Sequence, residues 1–315
     1  MDTLRQRAQL KRLLRESLDA RDWLEIDAPV LIDSPDFEPN IALFRATLPD
    51  GTPAGSLHSS PELSMKRLLC AYPDLPGAYY LGPVFRAFEA GRRHNPEFTM
   101  LEWYDNGATL KTAIDTTVSL IQSAREALGL PPAAIEHHDY GALFRRHCAL
   151  DPYHADTDTL AQAAKHHGID VAGPADMGHD DWLDLLMSLV IEPQLDTAAL
   201  TVVTGYPASQ AAMARLETTQ FEGRAIRTAA RFEIYGGGLE LANGYHELVD
   251  PDEQARRLEP TDSRPPSPSQ QRFLAALAHG LPDCSGVAMG VDRLLMWLTD
   301  AEDIDAVLPF SARRV

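Results

Sequence analysis

The stretch from Ala78 to Tyr104 constrains the fold of this chain more than any other. Residues 79–85 and 98–104 are rich in aromatic and apolar side chains, and a polar, glycine-containing connection from Glu89 to Asn95 separates them. Two such runs pair as antiparallel strands joined by a long loop. With a side-chain repeat of two, Phe98, Met100, Glu102 and Tyr104 share one face of the second strand, and Thr99, Leu101 and Trp103 share the other. The carboxylate and phenol beside Phe98 and Met100 suit a pocket lining; a plain pairing of Glu102 with a nearby arginine fits the pattern too.

The rest of the chain reads as helices and further strands around this pair. Leu4, Leu10, Leu13, Leu14 and Leu18 recur at helical spacing, which predicts an amphipathic helix over 3–20. Residues 23–31 alternate and contain Pro29, as an edge or interface strand would. A hairpin is expected at 51–55, helices at 61–69 and 110–128, and strands at 201–204, 229–235, 239–246 and 285–289. Pro260, Pro265, Pro266 and Pro268 make 259–270 a loop, because proline lacks the amide proton that helix interiors and ladders use. Residues 151–200 hold ten acidic side chains against the single basic Lys165. That block reads as a solvated helical lobe within an insertion at about 107–200. The expectation is an α+β fold, with an antiparallel sheet of about six strands flanked by helices and a single dominant domain over 1–315.

Charge narrows the function. The chain carries 46 acidic and 28 basic side chains, a formal net charge of −18, which is hostile to polyanionic partners. Its three cysteines are scattered singly, as in a reducing compartment. Charged residues from Asp2 to Arg15 leave no signal-peptide core. The longest apolar stretch near the C-terminus, 294–298, falls far short of the roughly 20 residues of a membrane span. A cytoplasmic protein without a membrane partner is expected.

Three constellations carry chemistry. In the first, Arg86 ends an apolar strand, Arg92 and Arg93 lie in the loop, and Phe98 begins the return strand; a solvated loop or an anion site would both use these residues. In the second, Glu240 and Glu247 flank the Asn243-Gly244 step. Magnesium takes one or two carboxylates plus substrate phosphates, so this suits a metal site, and it equally suits a hairpin with exposed acids. The two positions differ by an odd number, so a bulge near 242–244 is needed if both are to face one site. In the third, Gly286 and Gly290 punctuate a strand, and Arg293 lies in the first turn of the helix that follows, an arrangement suited to polyphosphate.

Taken in order, these segments resemble motifs 2 and 3 of class II aminoacyl-tRNA synthetases, with residues 24–31 around Pro29 as a motif 1 candidate. The sequence is most similar to the lysyl-tRNA synthetase catalytic domain and, more closely, to the elongation factor P–lysine ligase family. The likeness rests on Ser60-Pro61-Glu62, on Met65 to Leu69, on His94 to Tyr104, on Tyr206-Pro207-Ala208-Ser209-Gln210, on Glu240 to Gly244 and on Pro282 to Ala288. It implies that ATP and (R)-β-lysine form an adenylate, which a lysine ε-amine of elongation factor P then attacks.

The resemblance assigns Arg86 and Arg293 to catalysis. Nucleotide binding falls to Arg86, Ala87, Phe88, Glu89, Asn95, Phe98, Glu240, Leu241, Gly290 and Arg293, with Arg86 on the α-phosphate, Phe98 stacking on adenine and Arg293 on the γ-phosphate. Ser60, Pro61, Glu62, Glu102, Tyr104, Asn243, Glu247 and Ala288 map to the amino-acid pocket, and Glu240 with Glu247 to Mg2+. Two departures stand out. Phe88 occupies the place where motif 2 usually has a glutamate, with Glu89 next to it. Ala288 stands where lysyl-tRNA synthetases commonly have glycine, which favours β-lysine over α-lysine on family grounds. The stretch before Thr3 is too short for an anticodon-binding barrel, so tRNA is not the expected acceptor. A homodimer around residues 3–31 is expected. The other readings are a catalytically inactive paralogue with a regulatory role and a lysine-activating ligase for another acceptor.

Overall fold

The computed structural model describes residues 2–33, 41–171, 173, 177–259 and 267–314. The chain divides into two compact units, residues 1–132 with 246–315, and residues 133–245.

The first unit begins with α1 (Asp2–Asp19), whose Leu10, Leu14 and Leu18 are buried at helical spacing. Next come β1 (Leu24–Glu25), β2 (Leu31–Ile32), β3 (Arg45–Thr47), β4 (Pro53–Leu57), α2 (Glu62–Ala71), β5 (Gly77–Phe85), β6 (Glu97–Asn106) and α3 (Leu110–Ala127). The second unit holds β7 (Ile135–Asp139), α4 (Tyr140–Cys148), α5 (Thr157–His166), α6 (His179–Leu186), β8 (Leu200–Thr204), β9 (Leu216–Phe221), β10 (Arg224–Ala229), β11 (Arg231–Gly236) and β12 (Leu239–His246). The chain returns to the first unit with α7 (Pro251–Arg257), α8 (Pro268–Leu277), β13 (Cys284–Gly290) and α9 (Val291–Leu298).

The main sheet has eight strands among the described residues, where about six were expected. Four follow the order β1-β5-β6-β13 in the first unit, and four the order β12-β11-β8-β7 in the second. β5 with β6, β6 with β13, β12 with β11 and β11 with β8 are antiparallel, as the pattern at 78–104 required of the first of them, but the outermost pairs, β1 with β5 and β7 with β8, are parallel. The expected strand over 23–31 is two short pieces. β1 runs beside β5, and β2 joins a separate sheet with β4 and β3, with Pro29 in the break between them. Pro260, Pro265 and Pro266 lie outside the described residues, but Pro268 starts α8 rather than extending a loop. Ser267 and Gln270 cap that helix reciprocally, and proline is tolerated at its first position.

Register explains how the first unit is layered. Thr99, Leu101 and Trp103 of β6 lie beside Pro83, Leu81 and Tyr79 on β5 and beside Met289 and Val287 on β13. Leu101, Trp103, Tyr79, Val287 and Met289 are buried, and α9 packs on β6 while α3 packs on β13. Arg7 of α1 pairs with Asp292 and donates to Thr99 Oγ1 at 2.7 Å, and Asp292 Oδ2 accepts from Thr99 N at 2.7 Å. Those contacts fix the start of α9 against the strand.

In the second unit the acidic lobe folds on its own apolar core. Leu143 and Phe144 of α4, Leu160 of α5 and Trp182, Leu183 and Leu186 of α6 are buried with Val203, Tyr206 and Tyr235. α3 belongs to the first unit, and the second runs from Ala133 to Tyr245. The β9–β10 hairpin, which the sequence reading did not anticipate, turns on Glu222 and Gly223, both at positive φ (47° and 76°). Two-residue hairpins favour that conformation.

Candidate active site

The opposite face of β6 carries Phe98, Met100, Glu102 and Tyr104. Their register partners are Val84, Gly82, Tyr80 and Ala78 on β5, and for the last three Gly290, Ala288 and Gly286 on β13. Small side chains on the flanking strands leave room above the sheet. A Cβ at Gly286 would collide with Glu247 Oε1 and the Tyr104 ring, so glycine is needed there for close approach.

At one end of this face lie the arginines. Arg86 follows β5, its main-chain N–H bonded to Pro96 O at 2.9 Å, and its guanidinium lies 5.2 Å from the Phe98 ring centroid. Glu89 Oε1 is 3.8 Å from Arg86 Nη1, and Arg86 Nε is shielded from solvent with no hydrogen-bond partner among the described residues. Such an orphaned donor suits an anion that the protein itself does not supply. Glu89, and not residue 88, is the acid that faces Arg86. Phe88 adopts a φ of 66° and is 93% exposed.

His94 joins the two arginine motifs, because its Nε2 lies 2.6 Å from an Arg293 guanidinium nitrogen. Burial, and then the Arg293 charge, lower the His94 pKa, which keeps the imidazole neutral and able to accept. Gly290 precedes α9 with no side-chain cap, and an added Cβ there would make only ordinary contacts, leaving the helix start open. Asn95 is buried and donates to Glu97 O at 2.5 Å, while its Oδ1 accepts from Ala312 N at 2.9 Å. Its side chain therefore fixes the loop. A cleft of about 610 Å3 lined by Phe44, Leu57, Phe85, Leu308 and Phe310 shares Asn95 and Phe98 with this region.

At the other end the groups are buried. Ser60 precedes α2, and its hydroxyl donates to Glu102 Oε2 at 2.8 Å; Tyr104 donates to Glu102 Oε1 at 2.9 Å. Pro61 sits at the cap of α2, which sends Glu62 into the first turn. Lys66, one turn on and only 1% exposed, places Nζ 2.6 Å from Glu62 Oε1 and 2.6 Å from Glu247 Oε2; Glu247 is likewise 1% exposed. Burial works to lower the Lys66 pKa, but the charges of Glu247 and then Glu62 outweigh it and hold the amine protonated. Burial first, and the Glu62 charge second, push Glu102 up to about 8. The sequence reading assigned no role to Lys66. Its four-residue spacing from Glu62 on a helix was the available signal.

The second unit brings together another set. Arg231, Glu233 and Tyr235 share one face of β11, opposite Tyr245, Asn243 and Glu240 on β12. Glu240 reaches that face because the register shifts between Ile234 and Tyr235, leaving Leu241 as the extra residue. The required bulge therefore exists, one step before the expected 242–244, and it turns Leu241 into the core. Arg231 pairs with Glu233, donates to Gln210 O at 2.9 Å and to Asn243 Oδ1 at 3.3 Å, and lies 4.6 Å from the Tyr206 ring centroid. Tyr206 donates to Glu233 Oε2 at 2.7 Å and Tyr235 donates to the same oxygen. Arg231, Glu233 and Tyr235 escaped the sequence reading, although their alternation along one strand was visible.

An antiparallel core with an arginine at the end of β5 and a second in the first turn after β13 defines a class of enzyme. The family described as tRNA synthetases class II (D, K and N) matches residues 1–314. Among curated proteins, the elongation factor P–(R)-β-lysine ligase of Haemophilus ducreyi is 38% identical over 324 aligned residues, covering 100% of this chain and 95% of its own length. The ligases of the same name from Hamiltonella defensa and Yersinia enterocolitica are 35% and 36% identical, covering 100% and 99% of this chain and 96% and 95% of their own lengths. The chain belongs to the elongation factor P–(R)-β-lysine ligase family of class II synthetases. No helix among the described residues is long and apolar enough to cross a membrane.

Proposed function

We propose that this protein activates (R)-β-lysine with ATP and transfers it to a lysine of elongation factor P, in the cytoplasm and without tRNA. The observation that carries this reading is the buried carboxylate pocket of Glu62, Glu102 and Glu247 on the same sheet face as Arg86. An amino acid with two ammonium groups would seat its amines among those carboxylates and direct its own carboxylate toward the arginines. The substrate carboxylate oxygen attacks the α-phosphorus and pyrophosphate leaves. The acceptor ε-amine, deprotonated on arrival, then attacks the acyl carbon, and AMP leaves with the bonding electrons. No protein nucleophile is needed, so positioning and charge stabilisation do the work.

Arg86, with its unpartnered Nε, is assigned to the α-phosphate, Arg293 to the γ-phosphate, and Phe98 to stacking on adenine. Ala87, Phe88, Glu89 and Leu241 would contribute through the main chain, Gly290 through close approach, and Asn95 by fixing the loop. Ser60, Pro61, Tyr104, Asn243 and Ala288 shape the amino-acid pocket. Magnesium fits Glu240, which would hold it together with substrate phosphates; when bound it neutralises phosphate charge. Glu247, which the resemblance maps both to the metal and to the amino-acid pocket, is read for the pocket, where Lys66 sits against it. A homodimer through α1 and the residues up to Leu31 is supported by the exposed apolar side chains of Leu4, Leu24 and Leu31. ATP–pyrophosphate exchange tests the activation step: exchange dependent on (R)-β-lysine supports it, and its absence would favour an inactive, regulatory paralogue.

A further inference from the structure

The amino-acid pocket of the first unit contains three carboxylates and one resident cation. Lys66 is bonded to two of them, Glu62 and Glu247, at 2.6 Å each. The third, Glu102, makes no ion pair among the described residues and accepts only from the Ser60 and Tyr104 hydroxyls, at 2.8 and 2.9 Å.

Among the described residues, the other neighbours of Glu102 bring no positive charge to it. Tyr80, its register partner on β5, donates its hydroxyl to Pro83 O at 2.9 Å, and Ala288 opposite on β13 is neutral. Glu62 on α2 adds a like charge, with Lys66 only partly offsetting it. Hydroxyl donors relieve some of the cost of a buried carboxylate, but an ionised one without a cation remains costly and takes up a proton instead.

We propose that the empty pocket carries a proton on Glu102, and that a diammonium amino acid enters by exchange, its second ammonium group replacing that proton while Lys66 stays paired with Glu62 and Glu247. The inference rests on the function proposed above and adds a specificity rule to it. With Glu102 protonated, the carboxylates and Lys66 of this pocket sum to one negative charge and accept one ammonium group without further change. Release of the Glu102 proton to solvent creates the second negative charge, and only a substrate with a second ammonium group makes that release favourable. An amino acid with a single ammonium group leaves the proton in place and forgoes the second ion pair. Lys66 is thus a specificity-determining residue that contributes charge and position.

Calorimetric titration of (R)-β-lysine into the full chain, with a non-hydrolysable ATP analogue present, tests this in buffers of low and high ionisation enthalpy such as phosphate and Tris. The expected result at pH 7 is release of close to one proton per substrate bound, declining as pH rises through the raised Glu102 pKa. The mono-ammonium analogue 3-aminohexanoate is expected to bind more weakly and release none. Glu102→Gln should abolish the release, and Tyr104→Phe, which removes a donor to the ionised form, should extend it to higher pH. Because the first measurement uses the unaltered protein, a variant that folds poorly cannot mask the answer. Binding of (R)-β-lysine without proton release would overturn the exchange and leave the proposed function standing. Release that persists in Glu102→Gln would assign the lost proton to the substrate amine and overturn it as well. A complete lack of (R)-β-lysine binding would overturn the function and the exchange together.

Discussion

The two ends of one sheet face in the first unit are built on opposite principles. At one end, Arg86, Glu89 and Arg293 lie on or beside loops, partly exposed, with Arg86 Nε unpartnered among the described residues and Phe88 turned to solvent. At the other end, Lys66, Glu102, Tyr104 and Glu247 are buried, with Lys66 paired to Glu247 and Tyr104 donating to Glu102. On the function proposed above, the phosphates of ATP would meet partly exposed groups. The amines of a small substrate would meet groups that are already buried and hydrogen-bonded. The difference implies that damage at the buried end reaches stability, whereas damage at the exposed end reaches rate alone.

The largest effect is therefore expected at the buried end. Lys66→Met leaves Glu62 and Glu247 without their cation, and removing one partner of a buried ion pair costs about 3–5 kcal/mol. Denaturant unfolding should show that loss, and adding Glu62→Gln should recover part of it. Equal stability of Lys66→Met and the parent would erase the distinction between the two ends.

Arg86→Ala should reduce ATP–pyrophosphate exchange by roughly 10²–10³-fold, about 2.7–4 kcal/mol of transition-state stabilisation, while the thermal midpoint stays put. Near-parental exchange would remove Arg86 from the phosphate. Gly286→Ala introduces a methyl group against Glu247 and Tyr104, and overpacking of this kind costs about 1–3 kcal/mol. It should lower stability and raise the KM for the amino acid more than that for ATP; the reverse split would misplace the pocket.

Smaller effects sharpen the phosphate end. The His94 pKa is depressed in the fold, so the neutral ring and its bond to Arg293 are secure above the ordinary imidazole value of about 6.5 and are lost as pH falls through the lower folded value. Exchange activity should decline on that acid side, and His94→Gln, which keeps an acceptor that does not titrate there, should flatten the decline. An unchanged acid limb in that variant would detach His94 from Arg293 function. Phe88→Ser should shift stability by no more than about 0.5 kcal/mol, as at other exposed positions; a larger loss would mean that Phe88 has a buried partner.

How much of this was legible in the sequence depends on the range of the interactions. The β5–β6 pair, α1 and α3 follow from local periodicity, and the folded register repeats the two-residue alternation of Phe98, Met100, Glu102 and Tyr104. The bulge beside Glu240 was demanded by parity, but its position depends on pairing with β11, which parity alone does not fix. Strand 23–31 split because β1 and β2 join different sheets, a tertiary choice beyond the reach of a local pattern. Arg86 and Arg293 were legible because each sits at the end of an element, where sequence motifs are explicit. Lys66 was not, since a lysine four residues after a glutamate ordinarily marks an exposed helix pair, and only folding brings Glu247 to the same amine. Arg231 and Glu233 were overlooked for the same reason, as buried charge on an apolar strand discloses its purpose only once Tyr206 and Tyr235 are packed around it.

The central claim is acceptor choice, and intact-mass measurement tests it most directly. Elongation factor P incubated with this protein, ATP, magnesium and (R)-β-lysine should gain the mass of one lysyl group on a single lysine, while bulk tRNA offered alongside remains uncharged. Elongation factor P of unshifted mass beside efficiently acylated tRNA would contradict the account.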